Sequence, residues 1–211
     1  MVKVSEIFKS IQGESTHAGR VCSFVRLAGC NLRCRYCDTE YAQHEGTEQA
    51  LESVVDEVRT HRTRLVEVTG GEPLLQPETP ILCNRFLDLG YTVLVETNGS
   101  QDIGLVPPPV LRIVDVKCPS SGYEGSFLEK NFNRLTAGDE CKFVISDKND
   151  FHWALAVVYR EALHESVQVL FSPNMAQLPP AALAEWIIEE NAPVRLGVQL
   201  HKLLWGERRG V

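Results

Sequence analysis

Seven short apolar runs punctuate the 211-residue chain. They are Val21 to Leu27, Leu65 to Val68, Tyr91 to Val95, Leu111 to Val114, Cys141 to Ile145, Val167 to Phe171 and Val194 to Leu200. All are rich in Val, Leu, Ile and Phe, and Gly, Pro, Asn or charged residues bound them, which is the pattern of buried strands. Helical periodicity fills the intervals. In Thr47 to His61, Ala50, Leu51, Val54, Val55 and Val58 share one face. Ile81 to Leu89 stops at Gly90, Asn149 and Asp150 offer caps for a helix through Trp153 and Leu163, and Pro179-Pro180 opens another with Leu183, Trp186 and Ile187.

Strands alternating with helices predict an α/β fold of parallel βα units. Six or seven strands are too few for an eightfold barrel and suit a partial barrel or an open doubly wound sheet. No repeat or low-complexity tract divides the chain, and Pro107-Pro108-Pro109 reads as a connector, so one domain over 1–211 is expected. The unusual polar segments follow strands: Thr69 to Pro73, Glu96 to Ser100, Asp115 to Lys117 and Ser172 to Asn174. Ligands of α/β folds bind at the carboxyl ends of parallel strands, so these segments are expected on one rim.

Composition narrows the partners. With 44% hydrophobic and 23% charged residues the chain reads as globular, and its formal charge of −7 disfavours the basic face that nucleic acid requires. No apolar run reaches the roughly 18 residues of a membrane helix, and Met1 to Glu6 lacks a secretion core, so a cytoplasmic protein with a small-molecule substrate is expected.

Three of the seven cysteines, Cys30, Cys34 and Cys37, fall in one loop; Cys22, Cys83, Cys118 and Cys141 stand alone and read as buried small apolar side chains. Thiolates this close can converge on a soft metal centre: an iron–sulfur cluster, zinc or copper(I). Structural zinc wants a second Cys or His pair, and none stands at a familiar spacing. A four-iron cluster held by three cysteines keeps one iron open to a ligand.

The Cys-x3-Cys-x2-Cys loop, with Tyr36 before the last cysteine, and Gly70-Gly71-Glu72-Pro73 further on resemble the radical S-adenosylmethionine superfamily. Glu6 to Glu14, Phe24 to Leu32 and Val198 to Lys202 are similar, more particularly, to the 7-carboxy-7-deazaguanine synthase family. That resemblance implies a shortened βα barrel of about six parallel strands, usually dimeric. It implies ring contraction of 6-carboxy-5,6,7,8-tetrahydropterin to 7-carboxy-7-deazaguanine with loss of ammonia, as in queuosine biosynthesis. The implied cofactors are a four-iron cluster, S-adenosylmethionine and magnesium, with an external, flavodoxin-like electron donor. Cofactor chemistry carries the reaction, so no catalytic side chain is named.

Residue by residue, the resemblance gives the cluster to Cys30, Cys34 and Cys37. It gives S-adenosylmethionine to Tyr36, Cys37, Asp38, Gly71, Asp115, Val116, Lys117, Ser172, Pro173, Asn174 and Met175. Gly71 would let the cofactor approach the backbone. The pterin falls to Ile11, Gln12, Gly13, Glu14, Arg26, Thr69, His201 and the Val211 carboxylate. Thr39 would ligate magnesium through a hard oxygen, the alternative being a helix cap. Glu14 could accept from a guanidine-like pterin edge and Arg26 could fork onto a carboxylate, the alternative being a mutual or surface ion pair. His201 could instead be a hydrogen-bonded barrel residue. Two rival functions are an activase of a glycyl radical enzyme and a non-catalytic metal-binding module.

Overall fold

A computed structural model describes residues 1–206 and 208–211. Its frame is one sheet, ordered β3-β1-β2-β4-β5-β6-β7-β8-β9. The strands are β1 (Val2–Ile11), β2 (Val21–Leu27), β3 (Thr47–Gln49), β4 (Leu65–Gly70), β5 (Thr92–Thr97), β6 (Leu111–Asp115), β7 (Glu140–Ile145), β8 (Gln168–Pro173) and β9 (Arg195–Leu196). From β2 through β9 every pairing is parallel and follows chain order without reversal. This is a barrel arc, not a doubly wound sheet, since strand order in the latter reverses at a switch point. The arc is open: its end strands β3 and β9 do not pair.

Helices cover the outer face: α1 (Leu51–Thr60), α2 (Thr79–Asp88), α3 (Lys148–Arg160), α4 (Leu163–Ser166) and α5 (Pro180–Glu189). Val54, Val55 and Val58 of α1 and Leu82, Cys83 and Phe86 of α2 pack on outward Val66, Val68, Val93 and Val95. Each such side chain removed from water contributes about 1.5–3 kcal/mol. Along the other face of the strands, Cys22, Phe24, Leu65, Leu94 and Ile113 form an apolar plug. Two residues further along each strand the same face turns polar: Arg26, Glu67, Glu96 and Asp115 all line a cavity. A period of two fixes this, so the plug seals the amino ends of the strands and the charges stand towards the carboxyl ends.

The sequence pattern places six of the parallel strands within two residues of where they lie. Five details differ. The helical stretch expected from Thr47 begins instead as β3, with α1 starting at Leu51, and the helix expected to run through Leu163 ends at Arg160, Leu163 opening α4. Val194 to Leu200 is not one strand: only Arg195–Leu196 pairs, and Leu200 opens a sixth helix, α6 (Leu200–Trp205). A Cβ on Gly197, just past the paired residues, would stand 2.5 Å from the Ser172 hydroxyl, so the chain there leaves no room for a side chain. The cap of α3 is Asp147, whose side chain accepts from the Asp150 N–H at 2.8 Å. Asp150 is instead drawn inward, accepting from the backbone of Ser120 and Ser146. Strand β1, antiparallel to β2, gives no sequence signal because its buried and exposed positions do not alternate cleanly. The isolated Cys22, Cys83, Cys118 and Cys141 are free and buried, as their residue type suggests, and burial pushes the Cys83 thiol up to about 12.

Candidate active site

The cysteine loop leaves β2 and folds over the end of β4. Gly29 turns with φ +95°, and its carbonyl accepts from the Glu72 N–H at 2.8 Å. A Cβ on Gly71 would overlap that carbonyl and stand 2.8 Å from Cys30 Cβ. Glycine is therefore demanded at 71 by the loop itself, not only by an approaching cofactor. Glu72 is buried and braces the same rim, accepting from the Thr97 hydroxyl and the Asn98 N–H, each at 2.7 Å.

Cys30, Cys34 and Cys37 are free, partly exposed, and face one cavity of about 310 Å³. A turn from the Cys37 N–H to the Cys34 carbonyl, 3.1 Å, holds two of them, and the Asn98 amide stands 4.0 Å from Cys30 Sγ. Burial first, then Asp115, then the neighbouring Cys37 and Cys30, push the Cys34 thiol up, while Lys117 opposes the shift. Three soft donors that disfavour one another's charge suit a cationic iron centre. Among the described residues, no three His, Cys, Asp or Glu side chains are placed to share one metal ion. Donors at separate corners of a polynuclear cluster need not converge so closely.

Beyond the thiols the cavity passes Tyr36, Asp38, Gly71, Asp115, Lys117, Ser172, Pro173 and Asn174. Lys117 reaches Asp115 Oδ2 at 2.9 Å, whereas Asp115 Oδ1 is buried with no partner among the described residues. A buried acceptor without a donor is costly, and a ligand hydroxyl would satisfy it. This cradle fits a nucleoside cofactor. Val116 and Met175 do not line it; the Val116 side chain lies in the core with Cys118 and Cys141.

The opposite wall is built by both chain ends. After β1, Gln12, Gly13 and Glu14 form a loop against α6: the Leu200 N–H donates to the Gly13 carbonyl at 2.8 Å. A Cβ on Gly13 would overlap the His201 ring, so this glycine makes room for that histidine. Glu14 accepts from Lys142 Nζ and Gln199 Nε2, each at 2.9 Å. Burial works against its charge, but Lys142 and Gln199 hold its pKa below the ordinary value. Glu14 and Arg26 do not pair with each other, but each forms an ion pair with another residue. Arg26 donates from Nε to Glu6 at 2.8 Å and lies over the Phe8 ring. Thr69 donates to Glu96 at 3.4 Å, and Ile11 completes this wall.

Thr39 sits at the start of a short turn, Glu40–Gln43, and does not cap it. Its hydroxyl donates to Asp38 Oδ1 at 2.9 Å and lines the cavity. Asp38 in turn pairs with Lys202 at 2.8 Å. The tail folds back over the mouth: Arg208 to Val211 line it, and Arg209 lies 3.6 Å over the Tyr41 ring while pairing with Glu6 and Glu45.

The Radical SAM superfamily model matches residues 25–108 of the chain. The 7-carboxy-7-deazaguanine synthase of Koribacter versatilis (strain Ellin345) is 42% identical, with 100% of both chains covered. That of Chlorobaculum tepidum is 41% identical over 100% of this chain and 97% of the relative. The chain belongs to the 7-carboxy-7-deazaguanine synthase family. The crystal structure of QueE from Escherichia coli, 21% identical, superposes with a TM-score of 0.79 over 95% of this chain and 94% of that one, which shows the fold.

Synthases of this family are radical S-adenosylmethionine lyases, so a four-iron cluster and S-adenosylmethionine are the cofactors. Several cavity residues receive no role from the sequence. Glu67, Lys142, Tyr41, Gln199 and Lys202 all line the cavity, as does Glu96 of the rim segment expected there. Two carried a signal: Glu67 and Lys142 interrupt runs otherwise apolar, on the strand face that points inward. Lys142 Nζ bonds Glu96, reaches Glu14 at 2.9 Å and lies 3.6 Å from Asp115. Burial opposes its charge, yet the three carboxylates hold its pKa well above the ordinary value.

Proposed function

We propose that the chain contracts 6-carboxy-5,6,7,8-tetrahydropterin to 7-carboxy-7-deazaguanine with release of ammonia, in 7-deazapurine biosynthesis such as that of queuosine. The observation that carries this reading is one cavity with the three-thiol loop on one wall and the Gln12–Glu14, Arg26 and Thr69 wall opposite. The relatives' shared name supports it over a glycyl radical activase or a metal-binding module.

Cys30, Cys34 and Cys37 hold the cluster, and Tyr36 to Asp38, Gly71, Asp115, Lys117 and Ser172 to Asn174 receive S-adenosylmethionine. Bound there, these cofactors would supply radical hydrogen-abstraction chemistry at C6 of the pterin. The polypeptide does the rest by placement. Glu14, held ionised by Lys142, accepts from the pterin's amino and ring N–H edge. Arg26, aimed by Glu6, presents its remaining guanidinium nitrogens to the substrate carboxylate. Thr39 offers a hard oxygen to magnesium. His201 and the Val211 carboxylate close the substrate wall. The apolar plug below and the tail above limit water, which strengthens every polar contact between them.

The reading extends to one radical-SAM domain over 1–211, a cytoplasmic homodimer, and a flavodoxin-like donor that reduces the cluster. No helix among the described residues is long and apolar enough to cross a membrane. The test is anaerobic turnover of C6-deuterated substrate with reductant and a loaded cluster. Deuterium is expected in S-adenosylmethionine and a deazaguanine in solution; a loaded cluster that forms no deazaguanine rejects the reading.

A further inference from the structure

The polar layer inside the arc has an uneven charge balance. Glu14, Glu67, Glu96 and Asp115 face one another there, with Lys142, Lys117 and Arg26 as the cations of the layer, the arginine being already paired with Glu6. Glu14, Glu96 and Asp115 each pair with a lysine. Among the described residues no lysine, arginine or histidine nitrogen lies within 4.0 Å of the Glu67 carboxylate. Glu67 is 2% exposed and bonds Gln12. The amide orientation is fixed: Gln12 Oε1 accepts from the Glu14 N–H at 2.8 Å, so Nε2 must be the atom that donates to Glu67 Oε2. That donation engages Oε2, and Oε1 has no hydrogen-bond partner among the described residues, so it is the oxygen open to a proton. Isolated buried carboxylates neutralise in this way.

We infer that Glu67 is a catalytic residue of the proposed ring contraction: a neutral carboxylic acid on the substrate wall that hands its proton to the departing amine. This rests on the function proposed above, in which substrate and product differ by one ammonia. Glu67 lies one register step inward from Thr69 on the same face of β4 and is hydrogen-bonded to Gln12, two residues assigned to the pterin. In the last step the C–N bond breaks and its electron pair goes to nitrogen. The nitrogen takes the Glu67 proton and leaves as ammonia. The adjacent ring carbon releases its hydrogen as a proton, its bonding pair closing the C=C bond, and that proton restores Glu67. No oxidant or reductant enters this step.

Other groups near Glu67 do not replace it. Lys142 is locked in its charged form by three carboxylates, and Arg26 is a permanent cation. Cys22, on β2 below, is a buried thiol with its pKa pushed up by burial. Burial, then Glu96 and Glu14, push Glu67 itself well above the ordinary carboxylate range, against the pull of Lys142 and Arg26.

The experiment compares the wild type with Glu67→Gln, an isostere that cannot give up a proton. Infrared difference spectra at neutral pH are expected to show a protonated-carboxyl C=O band that the substitution removes; this readout needs no turnover. With C6-deuterated substrate, the variant is expected to pass deuterium into S-adenosylmethionine while ammonia release falls about 100-fold, the lower end for general-acid catalysis. A species isomeric with the substrate then accumulates. In the wild type, ammonia release is expected to fall as pH rises through the Glu67 pKa while deuterium transfer does not, a measurement that survives even a variant that fails to fold. Absence of the band, ammonia release by Glu67→Gln at the wild-type rate, or loss of deuterium transfer together with ammonia release overturns the inference. Failure of the wild type to transfer deuterium overturns the proposed function instead.

Discussion

Replacing Lys142 with methionine tests the charge layer most directly. The side chain is 6% exposed, and its ammonium is shared by Glu14, Glu96 and Asp115. Methionine preserves length and packing but leaves the three carboxylates facing one another without their shared cation. Breaking a buried ionic network by removing one partner costs about 3–5 kcal/mol. Glu14 and Glu96 are 21% and 27% exposed, so water screens part of the repulsion and the lower end applies, about 3 kcal/mol. For a chain of this size that is a fall in Tm of roughly 6–12 °C.

The pH dependence carries a sign. Glu14's folded pKa is depressed below 4.5 by Lys142, against burial, so its contribution is complete above 4.5 and is lost as pH falls through the folded value. Lys142's folded pKa is raised above 10.5 by the carboxylates, so its contribution is complete below 10.5 and is lost as pH rises beyond. At pH 7 both are fully present, and the gap between wild type and Lys142→Met is expected to be widest there. On acidification the variant's carboxylates, raised by burial and by one another once the cation is gone, protonate and the gap narrows. Thermal denaturation of both cluster-loaded chains from pH 4 to pH 8 reads this out. Equal melting at pH 7, or a gap that widens on acidification, refutes the assignment of Lys142 as the cation that holds the layer together.

Three further substitutions address other parts of the site. Gly71→Ala forces a methyl against the Gly29 carbonyl and Cys30, so the loop must shift; a loss of about 1–3 kcal/mol in stability and a lowered iron content per chain are expected from melting and iron assay. Thr39→Val keeps the shape and removes the hydroxyl, so magnesium is expected to stop activating turnover while cluster absorbance stays intact; an unchanged magnesium titration counts against Thr39 as its ligand. Arg209→Ala releases the tail from Tyr41, Glu6 and Glu45, and steady-state kinetics are expected to show KM raised several-fold with kcat little changed, the mark of lost uniform binding.

What the sequence makes legible follows from the range of each interaction. Apolar runs report burial locally, so six of the parallel strands and the rim segments after them are readable. The cysteine loop and the glycines of Gly70-Gly71 are short-range devices too, and they land on the cavity together. Strand β1 is hidden because one edge pairs with β2, the other meets only the short β3, and its burial does not alternate cleanly. Missing that strand hides the partner of Arg26. Glu6 and Arg26 are register partners across β1 and β2, a cross-strand pair that is apparent once the antiparallel strand is drawn. Glu14 and Lys142 are 128 residues apart and meet only when the arc brings β7 opposite the amino-terminal loop. No local pattern encodes that distance.

The Glu6 carboxylate joins two parts of the molecule that the sequence separates. One oxygen accepts from Arg26 at 2.8 Å and from the Tyr41 hydroxyl at 2.6 Å; the other meets Arg209 at 3.3 Å. Burial disfavours the Glu6 charge, but Tyr41, Arg26 and Arg209 together hold its pKa below the ordinary value. One carboxylate therefore aims the arginine proposed to bind substrate and anchors the tail that roofs it. Withdrawing the tail removes a cation from Glu6 and leaves that carboxylate to Arg26 and Tyr41 alone. The same withdrawal admits water to the layer of Glu14, Glu67 and Glu96, whose lower end the apolar plug already seals. Water there weakens each of those contacts, because Coulomb energies scale inversely with the local dielectric constant. The tail and the plug are thus the two covers of one low-dielectric compartment, and the charge balance inside it holds only while both are in place.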